Sequence, residues 1–339
     1  MITLTRTQFF LILFIIQTGT VYIAFQTRLI RAAETNAWVV FLVAGAIHYL
    51  QLVLYEKVYE RINPGPFISW LYIGYWFVIV VTFLAYIDYA LAVWIFPDTP
   101  QIIIIGVMVG VSLYANLSRA ATAINLPVLL VPLIPLLILA LLFAIPDLEW
   151  TRLFPITFSD EKDWFKGLFA AQTTFIGVEI YLFLRKYVKK DSAIKGIPLF
   201  IYQNIWLFIF LTGLLFVQMF FPVRDAKIIE EPIIYILKSQ KVTFVERLDL
   251  FFLFVWMTWS IVTITLYSFI SIHVHQLHAK KKNSKRSTII YHVLICLVPL
   301  FFLTKERVDF IRSAIIYFHL FFSIVLPVVV VLMNRRKAS

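Results

Sequence analysis

Charged side chains are scarce in this chain. Asp, Glu, Lys and Arg make up 14% of its 339 residues, where a soluble domain carries about a quarter. With 61% apolar residues, a water-soluble fold of this length has too few polar groups to cover its surface. Soluble enzymes, disordered proteins and secreted disulfide scaffolds are excluded. Cysteine is nearly missing as well. Cys296, the single one, lies inside an apolar run, so no intrachain disulfide and no thiolate–metal cluster is expected. Nothing resembles a nucleophile–base pair, a phosphate loop or a metal motif, so neither enzymatic activity nor a cofactor is expected. The net charge of +11 does not point to nucleic acid. Its basic residues gather in short connections between long apolar runs, the pattern of membrane topology signals.

Those apolar runs dominate what is present. A bilayer core takes about 20 apolar residues per helix, and ten stretches qualify: 8–30, 37–55, 67–96, 101–117, 123–145, 165–184, 196–221, 250–272, 288–303 and 310–333. The expected fold is all-α, a polytopic membrane protein with ten transmembrane helices in the lipid bilayer. No small-residue cleavage site follows the first run, so it reads as a retained helix. With the N-terminus inside, the inner segments hold 17 basic residues against the acids Glu56, Glu60 and Asp191. The outer ones hold 13 basic and 14 acidic residues, while Asp88 and Glu179 stay within spans. By the positive-inside rule both termini lie inside, 185–195 and 280–286 with them, and 160–163 outside. The longest connections, 146–164 and 222–249, are outer ones. Trp150 and Trp164 in the first suit the membrane interface. Ile228, Ile229, Pro232, Ile233, Ile234 and Ile236 in the second predict a short helix across the outer mouth.

Ten spans form a single transmembrane domain of two five-helix halves, 1–150 and 151–339, and odd-numbered halves of one repeat must be inverted. Inverted-repeat transporters bind substrate near the midplane on discontinuous helices at matching positions. The first span contains Gln17-Thr18-Gly19-Thr20, a polar break with a glycine. The sixth contains Gln172-Thr173-Thr174-Phe175-Ile176-Gly177-Val178-Glu179, a break of the same kind in the same place. Free backbone groups at membrane depth are tolerated where they line a cavity or bind something. A binding site is one reading of the paired breaks; a packed kink in each helix is the other.

Several residues carry a family resemblance. They are Pro232-Ile233-Ile234, Leu237-Lys238, Phe244-Val245-Glu246-Arg247-Leu248-Asp249 and Trp256. Asn36-Ala37-Trp38, Thr99-Pro100 and Gly177 with Glu179 support them. In these the chain resembles the B subunit of the bacterial spore germinant receptor, of the spore germination permease family. That family is a ten-helix branch of the amino acid–polyamine–organocation transporter superfamily. The resemblance runs from about Leu4 to the end of the eighth span. The chain departs from it in keeping one glycine, Gly19, where relatives have a pair with a proline soon after. It also lacks an acidic residue before the fifth span, although Arg119 stands where an arginine is expected. No proline closes the sixth span, which runs on as Leu182-Phe183-Leu184-Arg185.

The resemblance implies a 5+5 inverted repeat with discontinuous helices 1 and 6, and a sensor of small nutrients such as amino acids. Its place would be the spore inner membrane, beside an A-type membrane subunit and a C-type lipoprotein. In such a fold N–H groups at Gln17, Thr18, Gly19 and Thr20 face a ligand carboxylate, helped by a helix dipole. Carbonyls of Thr174, Phe175, Ile176 and Gly177 accept from its ammonium group. Hydroxyls among Thr258, Ser260, Thr263 and Thr265 line the same cavity, or else join packed helices. Glu179 either holds a proton or cation, or hydrogen-bonds freed amides. Asp88 belongs to an outer vestibule. His273, His275 and His278 lack the acidic or thiol partner of a metal site and fit a basic helix end at lipid headgroups, while His48, His292 and His319 read as packing residues. Two other functions share the pocket: a proton-coupled amino acid secondary transporter, and a structural subunit with a degenerate site.

Overall fold

Thr5 opens the first helix with a capping box: its hydroxyl accepts from the Gln8 amide at 3.2 Å and its own amide donates to Gln8 Oε1 at 2.9 Å. Proline opens others, Pro66 and Pro232 each supplying a pre-set φ at a first helical position where no N–H is needed. The structure is a computed structural model that describes residues 2–19, 21–156, 161–189, 191–240, 246–279 and 285–335. Its helices are α1 Arg6–Thr18, α2 Phe25–Ala33, α3 Ala37–Val58, α4 Pro66–Trp94, α5 Gln101–Leu117, α6 Ala120–Leu129, α7 Leu133–Leu142 and α8 Glu161–Ala171. They continue with α9 Ile180–Leu184, α10 Ile197–Phe220, α11 Val223–Ala226, α12 Pro232–Ser239, α13 Leu248–His278, α14 Lys285–Leu297, α15 Lys305–Leu320 and α16 Leu326–Arg335. A π-helical turn, Phe321–Val325, joins the last two. Among the described residues there is no strand, only an isolated bridge between Leu4 and Val188.

Among the described residues seven helical stretches are long and apolar enough to cross a membrane, which makes this an all-α, multi-pass membrane protein. The ten expected spans differ from these seven for local reasons. The first is cut after Thr18, leaving α1 with 13 residues, about 20 Å. The 37-residue stretch Phe25–Arg61 would reach about 55 Å if straight, and it turns at Glu34, where φ is +51°. The helix at 101–117 has 17 residues, about 26 Å. α14 gives way to a 3-10 turn at Val298.

Large apolar side chains cover much of the exterior, and a set of polar groups is buried within a mainly apolar core. Phe67, Tyr114 and Ile197 are three-quarters exposed, while Gln17, His48, Asp88, Glu179, Gln203 and His319 are buried. Lipid would cover such an apolar exterior, and the interior polar groups must find partners within the protein. The 31-residue α13 runs through the centre and buries Trp256, Trp259 and Tyr267 completely, packing on α1, α4, α5 and α12. Beside it, Phe25, Phe41, Trp206 and Phe210 form an aromatic cluster, with the Trp206 and Phe210 rings stacked at 4.0 Å.

Both ends of the bundle are strapped. The helix expected in 222–249 is α12, whose Ile233, Ile234, Ile236 and Leu237 have no exposed surface. The chain leading to it is tied to α2. There Thr27 donates to the Ile229 carbonyl, and Arg31 donates to the Lys227 carbonyl and pairs with Glu230 at 3.1 Å. At the opposite end Leu4 bonds to Tyr187 and Lys189 through backbone groups. Arg185 forks onto Glu56 at 2.7 and 2.8 Å, and the Tyr181 hydroxyl donates to the same carboxylate at 2.6 Å. The histidines of α13 serve this end, His273 bonding the Tyr187 hydroxyl at 2.9 Å and His278 that of Ser69 at 2.8 Å.

Candidate functional site

The helical ladder of α1 ends with the Gly19 amide donating to the Ile15 carbonyl at 2.9 Å. A turn follows, in which Ala24 donates to the Val21 carbonyl at 3.2 Å before α2 begins. Helix α13 adds two hydroxyl donors at this helix end, one to the Gly19 carbonyl and one to the Ile15 carbonyl that the Gly19 amide already reaches. Ser260 donates its hydroxyl to the Gly19 carbonyl at 2.6 Å and Thr263 to the Ile15 carbonyl at 2.9 Å. The approach is so close that a Cβ on Gly19 would fall on the Thr263 hydroxyl and 3.0 Å from the Trp259 carbonyl. The Thr18 hydroxyl is buried without a hydrogen-bond partner. Thr20 lies outside the described residues.

The second break is built differently. Helix α8 tightens into a 3-10 turn, Gln172–Phe175. The chain then reverses through Ile176 (φ −55°, ψ 127°) and Gly177 (φ +100°), closed by the Val178 amide on the Phe175 carbonyl at 3.1 Å. This is a type II turn, which requires positive φ at its third residue and so favours glycine there. A Cβ on Gly177 would collide with the Ile16 side chain and stand 2.6 Å from the Tyr267 hydroxyl. The two breaks therefore touch: the last turn of α1 rests on the turn that interrupts the sixth expected span. Thr174 returns its hydroxyl to the Ala171 carbonyl at 2.6 Å, while the Phe175 ring stacks on His48 at 4.2 Å.

Glu179 is fully buried beyond this turn. Its Oε1 accepts from the Trp76 indole at 3.0 Å, and its Oε2 has no hydrogen-bond partner. Tyr55, Tyr72, Tyr75 and Tyr267 stand within electrostatic reach of the carboxylate. Tyr75 and Tyr267 keep hydroxyls without partners, whereas Tyr72 donates at 2.9 Å to Phe322 in the π-helical turn and Tyr55 to the neighbouring Ser323 carbonyl. Buried polar atoms left vacant beside a carboxylate are suited to a proton, a water or a small cation. Among the described residues no His, Cys, Asp or Glu cluster could hold a metal ion.

Gln17 is used twice. Tyr202 donates to its Oε1 at 2.7 Å, and its Nε2 lies 3.3 Å from His48 Nε2. Of the expected site residues, Gln17, Thr18, Gly19, Phe175, Ile176, Gly177, Glu179 and Ser260 are gathered where the breaks meet. Thr258 is not, for it donates to the Phe254 carbonyl of its own helix at 2.9 Å. A cavity of about 40 Å³ opens beside both breaks, lined by Val21 and Ala24 from one and Thr173 and Ile176 from the other. The sequence reading missed Trp76, Tyr75, Tyr267 and Tyr202, aromatic residues indistinguishable by pattern from core. It counted Arg28 and Arg312 among the outer basic residues, although both stand within the expected spans 8–30 and 310–333, and that position was a signal.

The chain matches the spore germination protein family over residues 3–311. That is most of its length, and the chain belongs to this family. The match extends past the eighth expected span, where the resemblance had been placed. No curated protein matches the chain.

Proposed function

We propose that this member of the spore germination protein family is the nutrient-sensing subunit of a germinant receptor, responding to an amino-acid-like ligand held where the two breaks meet. The single observation carrying the reading is that contact. Two interruptions 158 positions apart in sequence, at Gly19 and Gly177, converge through Ile16 and border one cavity. Interrupted backbone inside an apolar bundle is tolerated where it lines a cavity, and an amino-acid-like ligand suits a cavity between two such breaks. The proposed architecture is ten spans in two inverted halves, 1–150 and 151–339, with both termini inside. What supports it is the charge asymmetry of the connections, together with the turn at Glu34 that divides a stretch too long for one crossing. Acting in the spore inner membrane, the subunit would work with A-type and C-type partners.

The test is a dose–response of germination to amino acids for spores carrying Gly19→Ala or Gly177→Ala, at matched membrane levels of protein. A shift to higher ligand concentration supports sensing at the breaks. Unchanged curves for both variants remove the site from the breaks.

One observation favours a second reading, a proton-coupled amino acid transporter: the vacant Oε2 of Glu179 among tyrosine hydroxyls. Counterflow of labelled amino acids in proteoliposomes separates the two, being expected for a transporter and absent for a sensor acting alone.

A further inference from the structure

Two arginines line the cavity beside the breaks: Arg28, one turn into α2, and Arg312, in α15. Both are half-buried or less exposed, and the Arg312 side chain retains 13% exposure. Among the described residues Arg28 makes no ion pair; its Nη1 donates to the Arg312 backbone carbonyl at 3.3 Å. Arg312 lies with its guanidinium 3.8 Å from the centre of the Tyr86 ring and reaches the more exposed Asp309 only at 3.7 Å. The carboxylates of Glu230 and Glu231 act on this pair through space, Glu230 on both arginines and Glu231 on Arg312, while their hydrogen bonds go to other groups. Glu230 pairs with Arg31 and Lys305, and Glu231 accepts from Tyr86 and Trp94. Two like charges facing one cavity repel each other and lose hydration, an arrangement that an anion between them relieves.

We infer that Arg28 and Arg312 form the carboxylate-recognition site of this cavity. A guanidinium presents a planar fork of donors matching a carboxylate in two places, and such charge-assisted bonds are about twice as strong as neutral ones. The inference rests on the nutrient reading above and deepens it. The negative end of the ligand sits at the arginine pair, not on the amides of 17–20, and its body lies against Ala24, Phe83, Ile176 and Ile315. A volume of about 40 Å³ takes a carboxylate group with little attached, so it receives the carboxylate end of a small amino-acid-like ligand, for which acetate is the minimal probe.

The full chain in lipid nanodiscs, titrated with sodium acetate at ionic strength held by sodium gluconate, provides the test, read as a shift in thermal midpoint. Acetate is expected to raise the midpoint saturably, while neutral acetamide and bulky gluconate do not. Arg28→Gln and Arg312→Gln should each weaken apparent acetate affinity tenfold or more. Arg312→Lys, which keeps the charge without the fork and guards against misfolding of the glutamine form, should weaken it less. An acetate effect that is absent, equalled by chloride, or unchanged in all three variants overturns the inference. The nutrient reading fails separately: spores deleted for this chain would then respond normally to amino acids, whatever acetate does to the purified protein.

Discussion

Gly177 carries the least replaceable backbone conformation in the candidate site. Its φ of +100° completes a type II turn, and its missing side chain leaves room for Ile16 and Tyr267. Alanine there meets both obstacles, so Gly177→Ala should destabilise the protein by about 1–3 kcal/mol, seen as a lower thermal midpoint in nanodiscs. Two positions on, Glu179 offers a contrast between conservative and disruptive replacement. Glutamine keeps an acceptor for the Trp76 indole, whereas alanine strands that buried donor at a cost of about 1–3 kcal/mol. Glu179→Gln should therefore melt close to the parent and Glu179→Ala well below it. Equal melting of the two would deny the indole bond any structural weight, leaving only the carboxyl's proton or charge to explain the residue.

Between elements, the contact that matters most is α1 against α13. The breaks themselves were legible, because glycine among polar residues inside an apolar run costs helix stability and signals an interruption. Their partners were legible only as a set, Thr258, Ser260, Thr263 and Thr265, since Ser260 and Thr263 stand some 240 positions away and no local pattern couples them to Gly19. Periodicity did contain part of the answer. Residues two apart on a helix point in nearly opposite directions, so Thr258 and Ser260 cannot both face α1, and Ser260 is the one that does. The severest clash expected of Gly19→Ala is with Thr263 Oγ1, while Thr263 Cβ and the Trp259 carbonyl stand 3.0 Å from the new methyl group. Removing the Thr263 hydroxyl should make room. Gly19→Ala alone is expected to lower stability, and Gly19→Ala with Thr263→Ala to recover much of the loss, giving a coupling energy of about 0.5–3 kcal/mol in a double-mutant cycle. Gly177→Ala should gain little from truncating Tyr267, because its backbone strain persists whichever neighbour yields. Additive losses at Gly19 and Thr263 would mean that the helices adjust around the new methyl group.

At the scale of the molecule, composition alone placed the chain in a membrane, and the apolar exterior, exposing Phe67, Tyr114 and Ile197, agrees with it. The number of crossings was harder to read, because span length in sequence and helix length in space diverge wherever a helix breaks. α1 and α2 share one apolar run, yet α2 and α3 share one nearly continuous helical stretch. Charge decides orientation independently of helix length. Lys189 sits at the end strapped by Leu4 and the Glu56–Arg185 pair, whereas Thr151 belongs to a connection tied through the Glu149 amide to the Met219 carbonyl at the far end of α10. Both side chains are exposed. Single cysteines at Lys189 and Thr151, in a Cys296→Ser background, should react with an impermeant maleimide from opposite faces of sealed vesicles. Ten crossings with both termini inside require Lys189 to be shielded in right-side-out vesicles and Thr151 to be labelled. Labelling of both from one face would leave an even number of crossings between them, where the proposed topology has one, and the inverted pairing of the two halves would fall with it.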